Sequence, residues 1–271
     1  MILQELTALL ENKISPKIYK INSETYGLYY DKNRKHKLIK KGMLTIDLTL
    51  EAIHFALKQK VNLIISNHSL FNEPIKKFDQ NIINKLTLLS KYPISVFILN
   101  STFISAEEGI TDTIVNSLYL KIDNTFEIKN RDGINVPIGR ICSPLNYLNQ
   151  NKTFTLEDLI NRIKANLNLP YVSYVGDLKR LLKKICIIGG SISKTNYIKK
   201  AMKLGCDCFI SGKIDYFDAV FARDIGINLI ETSHYQNVLL AMKKFCNFLS
   251  LEFPDVEFFL FESKNPIKTI I

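Results

Sequence analysis

Short apolar runs alternate with amphipathic helical stretches along most of this chain, and that alternation restricts the fold more than any single motif. In the C-terminal half, Lys184–Ile188, Cys206–Ser211, Ile227–Glu231 and Val256–Phe261 read as strands. Lys194–Leu204, Asp215–Asp224 and Tyr235–Ser250 read as the helices between them. The N-terminal half repeats the pattern. Thr49–Lys60 places Ala52, Ile53, Ala56 and Leu57 at helical spacing, and Val61–Ser66 follows as a short apolar strand. A helix over Asn81–Ser90, a strand over Ile94–Leu99 and a helix around Thr111–Leu118 complete it. Strands that alternate with helices of this length predict βαβ units and an α/β fold with largely parallel sheets. Right-handed crossovers then bring the carboxyl ends of the strands to one edge.

Between the halves, Lys121–Asp177 has a different texture. Asp132-Gly133 and Asn135–Pro137 are turn material, and Thr155-Leu-Glu-Asp158 has the form of a capping box opening a helix through Leu167. The expected organisation is a first α/β lobe over 1–125, a middle segment over 126–180 and a second lobe over 181–271.

Ligands of open α/β sheets collect beyond the carboxyl ends of the strands. Two of the four histidines stand there, His68 after Val61–Ser66 and His234 after Ile227–Glu231. They predict one site assembled in a cleft between the two lobes. His54, inside a helix, reads as a surface or core-edge residue. Gly189-Gly190-Ser191 follows a strand, but the dinucleotide fingerprint and the P-loop lysine are both missing. A tight strand-to-helix turn explains those glycines better than a phosphate cradle. The acidic residues nearest the expected site, Glu73, Glu107, Glu108, Asp218 and Glu231, form no evident acid/base pair, and no nucleophile triad emerges from spacing.

The five cysteines are odd in number and contain no CxxC pair, so they read as structural residues rather than zinc ligands. The net charge of +10 is densest at Lys32–Lys41, with a second group at Lys179, Arg180, Lys183 and Lys184. No nucleic-acid-binding motif accompanies it, which points to a solvated basic surface. No apolar run approaches the roughly 20 residues needed to span a bilayer. The N-terminal stretch, with Glu5 and Glu11, lacks the form of a signal or transit peptide, so a cytoplasmic protein without membrane contact is expected.

NLIISNHSLFNEPIKKF (62–78) resembles the first signature of the NGG-interacting-factor-three family, whose members are often labelled GTP cyclohydrolase type-two homologues. The resemblance continues in order through ETYGLYY, LTIDLTLEAI, VPIGRIC, IIGGSISKTNYIKKAMKLGCDCFISGKIDYFDAV and GINLIETSHYQNV, covering nearly the whole chain. The middle segment and the length look like the eukaryotic branch. The resemblance implies two related α/β lobes, a toroidal homohexamer and a two-metal site in the cleft between lobes. By position, His68 and His234 match two family ligands. Asn67 stands where many members have a second histidine or a tyrosine, Ile104 where the aspartate falls and Val238 where the late glutamate falls. Lys213 and Phe217 replace an acidic residue and a histidine common in the family.

Two bridged divalent cations require anionic oxygens to offset their charge, and isoleucine and valine offer no lone pairs. The expectation is therefore a largely lost dinuclear site, with no cofactor or at most one weakly bound divalent transition metal on His68 and His234. Three functional readings follow. One is a divergent oligomeric scaffold or binding protein, partnered by itself and by a further protein. Another is a metal-dependent hydrolase of a nucleotide-like substrate. The last is a nucleic-acid-associated regulatory protein, supported by charge alone.

Overall fold

A computed structural model describes residues 2–31, 38–71, 79–145, 153–191 and 194–268. Glu73 and positions 32–37 of the basic run lie outside the described residues. The helices are α1 (Leu3–Leu9), α2 (Leu50–Lys58), α3 (Gln80–Lys91), α4 (Thr102–Ser105), α5 (Ile110–Ser117), α6 (Leu156–Asn166), α7 (Thr195–Lys203), α8 (Tyr216–Ile225) and α9 (His234–Glu252). The strands are β1 (Gly27–Asp31), β2 (Lys41–Thr45), β3 (Leu63–Ser66), β4 (Ser95–Ile98), β5 (Leu120–Lys129), β6 (Asn135–Pro144), β7 (Ser173–Val175), β8 (Ile185–Ile188), β9 (Cys208–Ser211), β10 (Asn228–Glu231) and β11 (Glu257–Phe261). Among the described residues, no helix is long and apolar enough to cross a membrane.

Two compact units result, and neither is contiguous in sequence. The first contains Met1–Phe103, Asn130–Gly133 and Met242–Lys268. The second contains Ile104–Lys129 and Ile134–Ala241.

The first unit holds a five-stranded sheet ordered β1-β4-β3-β2-β11, parallel except for β1. Register aligns Phe259, Met43, Ile64 and Val96 across four strands. This row meets Ala52, Ile53 and Ala56 of α2 and Leu89 of α3 in one apolar cluster. The helices begin where a side chain satisfies an orphan N–H: Thr49 Oγ1 accepts from Ala52 at 3.0 Å, and Asp79 Oδ1 from Ile82 at 2.8 Å. His54 is exposed on α2, in keeping with a surface residue.

The closing strand corrects the sequence reading. Val256–Phe261 was expected to complete the second lobe, whereas β11 pairs in parallel with β2 in the first unit. Its apolar pattern specifies a strand and carries no information about its partner. The pairing shows in tertiary detail: Phe258 lies opposite Gly42, and a Cβ on Gly42 would stand 2.3 Å from the Phe258 ring.

The second unit holds a six-stranded sheet ordered β5-β6-β8-β9-β10-β7. Only β8, β9 and β10 run parallel; β5, β6 and β7 add antiparallel pairs. The α/β class holds, and this sheet is mixed because residues 120–144 form a long hairpin. Its sequence conceals it: Pro137 stands inside β6, and the β5–β6 register shifts twice. One face of the sheet presents Cys142, Ile185, Ile187, Cys208, Ile210 and Ile230 to Leu156, Leu159, Ile160 and Ile163 of α6.

The capping box of α6 forms as expected. Thr155 Oγ1 accepts from the Asp158 N–H at 3.2 Å, and Asp158 Oδ2 accepts from the Thr155 N–H at 3.0 Å. Thr155→Ala is expected to cost about 1 kcal/mol of stability, measured as a lower urea midpoint with unchanged slope.

Candidate functional site

In the first unit, Thr45 and Ser66 stand opposite each other at the carboxyl ends of β2 and β3. The chain leaves this edge in two turns tied together by backbone bonds. The Asn67 N–H donates to Thr45 O at 3.0 Å, and the His68 N–H to Ile46 O at 2.9 Å. Ser66 Oγ donates to the carbonyl of His68 at 2.7 Å and to that of Ile46 at 3.3 Å.

This scaffold sets the imidazole of His68 against Asp47, with Nδ1 and Oδ1 2.7 Å apart. A carboxylate on Nδ1 fixes the ring orientation and, in the neutral ring, leaves the lone pair on Nε2. Asp47 belongs to LTIDLTLEAI, and its local sequence carries no mark of a site residue. The strand-end rule that found His68 would have found Asp47 had β2 been recognised. β2 was missed because KGMLT is short and opens on a charged residue. Beside His68, Asn67 is 2% exposed, and its Oδ1 has no hydrogen-bond partner among the described residues.

The second unit contains His234, Ile104, Val238, Lys213 and Phe217. His234 opens α9, three residues beyond the end of β10, and its Nδ1 is buried. Val238, one helical turn on, is fully buried, and Ile104 is 8% exposed. Lys213 and Phe217 are exposed. Each histidine thus lies beyond a strand end as expected, His68 in one unit and His234 in the other.

Polar side chains knit together the strand ends of this second sheet. Thr232 Oγ1 donates to Ser211 O at 3.2 Å and accepts from Asn237 Nδ2 at 2.8 Å. Asn237 Nδ2 also donates to Gly189 O at 2.9 Å. Glu231 accepts from the Ile214 N–H at 2.9 Å, and Asp218 accepts from Thr195 Oγ1 at 2.7 Å. These two carboxylates hold the fold together rather than form an acid/base pair.

Gly189 is a packing glycine. A Cβ there would lie 2.8 Å from Ile110 Cγ2 and 3.0 Å from the backbone of Ile110 and Thr111. Its N–H donates to Thr111 Oγ1 at 3.2 Å, so that donor serves the fold rather than an anion. The tight-turn explanation of Gly189-Gly190 is the one the geometry supports.

A buried ion pair in the second unit had no local signal in the sequence. Arg140 Nε lies 2.6 Å from Asp112 Oδ1, and the two residues are 4% and 7% exposed. The guanidinium also donates to the carbonyls of Pro137 at 2.9 Å, Gly139 at 3.1 Å, and Ser105 and Ala106 at 3.4 Å. It therefore anchors the turn that follows Ile104.

Comparison with known proteins agrees with this architecture. A GTP cyclohydrolase 1 type 2 homolog of Clostridium perfringens is 27% identical over 276 residues, covering 100% of both chains. A protein of the same name from Staphylococcus aureus is 41% identical over 86 residues, 32% of this chain and 23% of that one. In fold, the chain is similar to the crystal structure of Staphylococcus aureus protein SA1388, with a TM-score of 0.81, 22% identity and coverage of 100% and 99%. It is also similar to reduced HcgD from Methanocaldococcus jannaschii, with a TM-score of 0.79, 22% identity and coverage of 96% and 97%. The sequence model of the Duf34/NIF3 (NGG1p interacting factor 3) family matches residues 1–266, and the chain belongs to that family.

Proposed function

We propose that this protein is a homo-oligomeric scaffold or binding protein of its family in which the dinuclear metal site has been lost. The observation that carries this reading is the state of Ile104 and Val238. At the positions that the family resemblance assigns to anionic ligands, both side chains are apolar and buried, at 8% and 0% exposure. Two divalent cations need anionic oxygens between and around them. Two imidazoles and the Asn67 amide do not supply those oxygens, so the residues present do not fit a two-metal centre. At most one weakly held transition metal on an imidazole is compatible with these donors. The five cysteines are free thiols, which accords with a reducing compartment such as the cytoplasm.

Elemental analysis of the purified protein after brief chelator dialysis is expected to find far less than two equivalents of divalent metal. Two retained equivalents would overturn the lost-site reading. Light scattering is expected to give a mass several times 31.1 kDa, with a hexamer as the proposed assembly. A monodisperse monomer at micromolar concentration would overturn the scaffold reading.

The second reading is a hydrolase acting on a nucleotide-like substrate. It is favoured by the His68–Asp47 pair, since a carboxylate-oriented imidazole is the form a general base takes. Activity abolished by His68→Ala, in a protein that keeps its fold, would support it over the scaffold.

A further inference from the structure

The second unit holds a cavity of about 310 Å³ where three segments meet. Ser143 and Pro144 end β6, Thr153 and Phe154 precede α6, and Leu181 to Lys183 lead into β8. Backbone bonds set these walls. The Leu182 N–H donates to Phe154 O at 2.8 Å, and the Leu156 N–H to Arg180 O at 2.9 Å. The pairing of Cys142 with Ile185 brings the end of β6 alongside the start of β8. The cavity therefore sits at the amino end of β8. His234 lies beyond the carboxyl end of β10, and these strands run parallel through β9.

The lining divides by chemistry. Pro144, Phe154, Leu181 and Leu182 supply apolar walls. The Phe154 ring is held by a residue that does not line the cavity. The Arg162 guanidinium lies 4.6 Å from the ring centroid and donates to Leu118 O at 2.9 Å. Leu181 is 46% exposed, a large apolar side chain at the rim. Ser143, Thr153 and Lys183 add two hydroxyls and an ammonium, and among the described residues no hydrogen bond or ion pair engages these three side chains. The carboxylate of Asp207 is committed to the backbone, accepting from the N–H groups of Lys183 and Lys184 at 2.7 and 2.9 Å. Lys179, Arg180 and Lys184 make the same stretch of chain basic.

We propose that this cavity binds a small organic acid, a monocarboxylate with an apolar body, independently of the strand-end site that carries the lost-metal reading. The volume stands at the lower end of the roughly 300–1,000 Å³ of small-molecule pockets, and such pockets are apolar with a few convergent polar groups. The apolar body leaves water against Phe154, Leu181 and Leu182. The Lys183 ammonium pairs with the carboxylate, and the hydroxyls of Ser143 and Thr153 donate to it. An alcohol of the same length leaves the ammonium without a counter-charge, and an amine is repelled by it. A nucleotide brings several negative charges to a cavity with one ammonium and apolar walls.

Octanoate is the probe, titrated calorimetrically into the full chain at low salt. Saturable binding to one site per chain is expected. Octanoate should also protect Lys183, and not Lys179, from acetylation by acetic anhydride, mapped by mass spectrometry. K183Q is expected to weaken binding about tenfold or more, through loss of one hydrogen bond between charged partners. L181E, which sets a carboxylate at the rim, should abolish it. Both positions are exposed, so both variants should keep the wild-type circular dichroism. Octanol and octylamine should each bind at least about tenfold more weakly than octanoate, since neither pairs with the ammonium. Absence of saturable octanoate binding at millimolar concentration would overturn the proposal. Equal affinity in the wild type, K183Q and L181E would also overturn it, because octanoate would then sit elsewhere. So would octanol or octylamine binding as tightly as octanoate.

Discussion

Asp112→Ala should be the most damaging single truncation in the second unit, lowering stability by about 3–5 kcal/mol. The alanine leaves the Arg140 guanidinium buried at 4% exposure without its counter-charge, 2.6 Å from where the carboxylate had been. The carbonyls of Pro137, Gly139, Ser105 and Ala106 remain as acceptors, but they are dipoles and do not neutralise a full charge. The loss should appear as a lower urea midpoint and as faster amide exchange in Ile104–Ser117 and β6, which the pair joins. A double-mutant cycle with Arg140→Met separates the pair from its parts. The double variant should be less damaged than the sum of the singles, because removing both charges removes the unpaired one. A loss under about 1 kcal/mol in Asp112→Ala would mean that water reaches the guanidinium and that the pair does not anchor the turn.

Restoring carboxylates at Ile104 and Val238 tests the lost-site proposal from the opposite side. Val238→Glu places a carboxyl group at a fully buried position of α9, and Ile104→Asp places one at 8% exposure. Without metal, each is expected to cost on the order of 3 kcal/mol or more at neutral pH, because an unpaired buried charge is poorly solvated. The pH dependence has a definite sign. Burial raises the folded-state pKa of the new carboxyl above its unfolded value, so the folded state binds more protons. The variants should therefore gain stability as pH falls from about 8 to about 5 and lose it as pH rises. If these positions are remnants of metal ligands beside His234, zinc or manganese should restore the double variant by mass action on the folded state. Recovery in the double variant and not in the wild type is the expected result. No metal-dependent recovery would show that the two positions never belonged to such a centre, and the lost-site proposal would fall.

Local sequence was enough to place the elements of 184–252 and both histidines at strand ends. In 184–252 the strands and helices agree with their apolar periodicity to within a residue or two, because burial of one face imposes that period locally. The capping box at Thr155 was equally legible, since four consecutive residues contain the whole interaction. Family order along the chain carried the rest of what was read correctly, including membership itself.

Only the tertiary structure decided which strands are neighbours. β11 joins β2 across more than two hundred residues, and nothing in its five residues names that partner. The hairpin of β5 and β6 stayed hidden because Pro137 and two register shifts break the alternation that marks a strand. The pairings of Asp47 with His68 and of Asp112 with Arg140 were invisible for a different reason. Periodicity is a property of consecutive residues, whereas a charge pair or a strand pairing depends on which distant segments the folded chain brings within a few ångströms. The meaning of Ile104 and Val238 divides along this line. Their identity stands in the sequence, and their burial in an apolar interior came only with the fold.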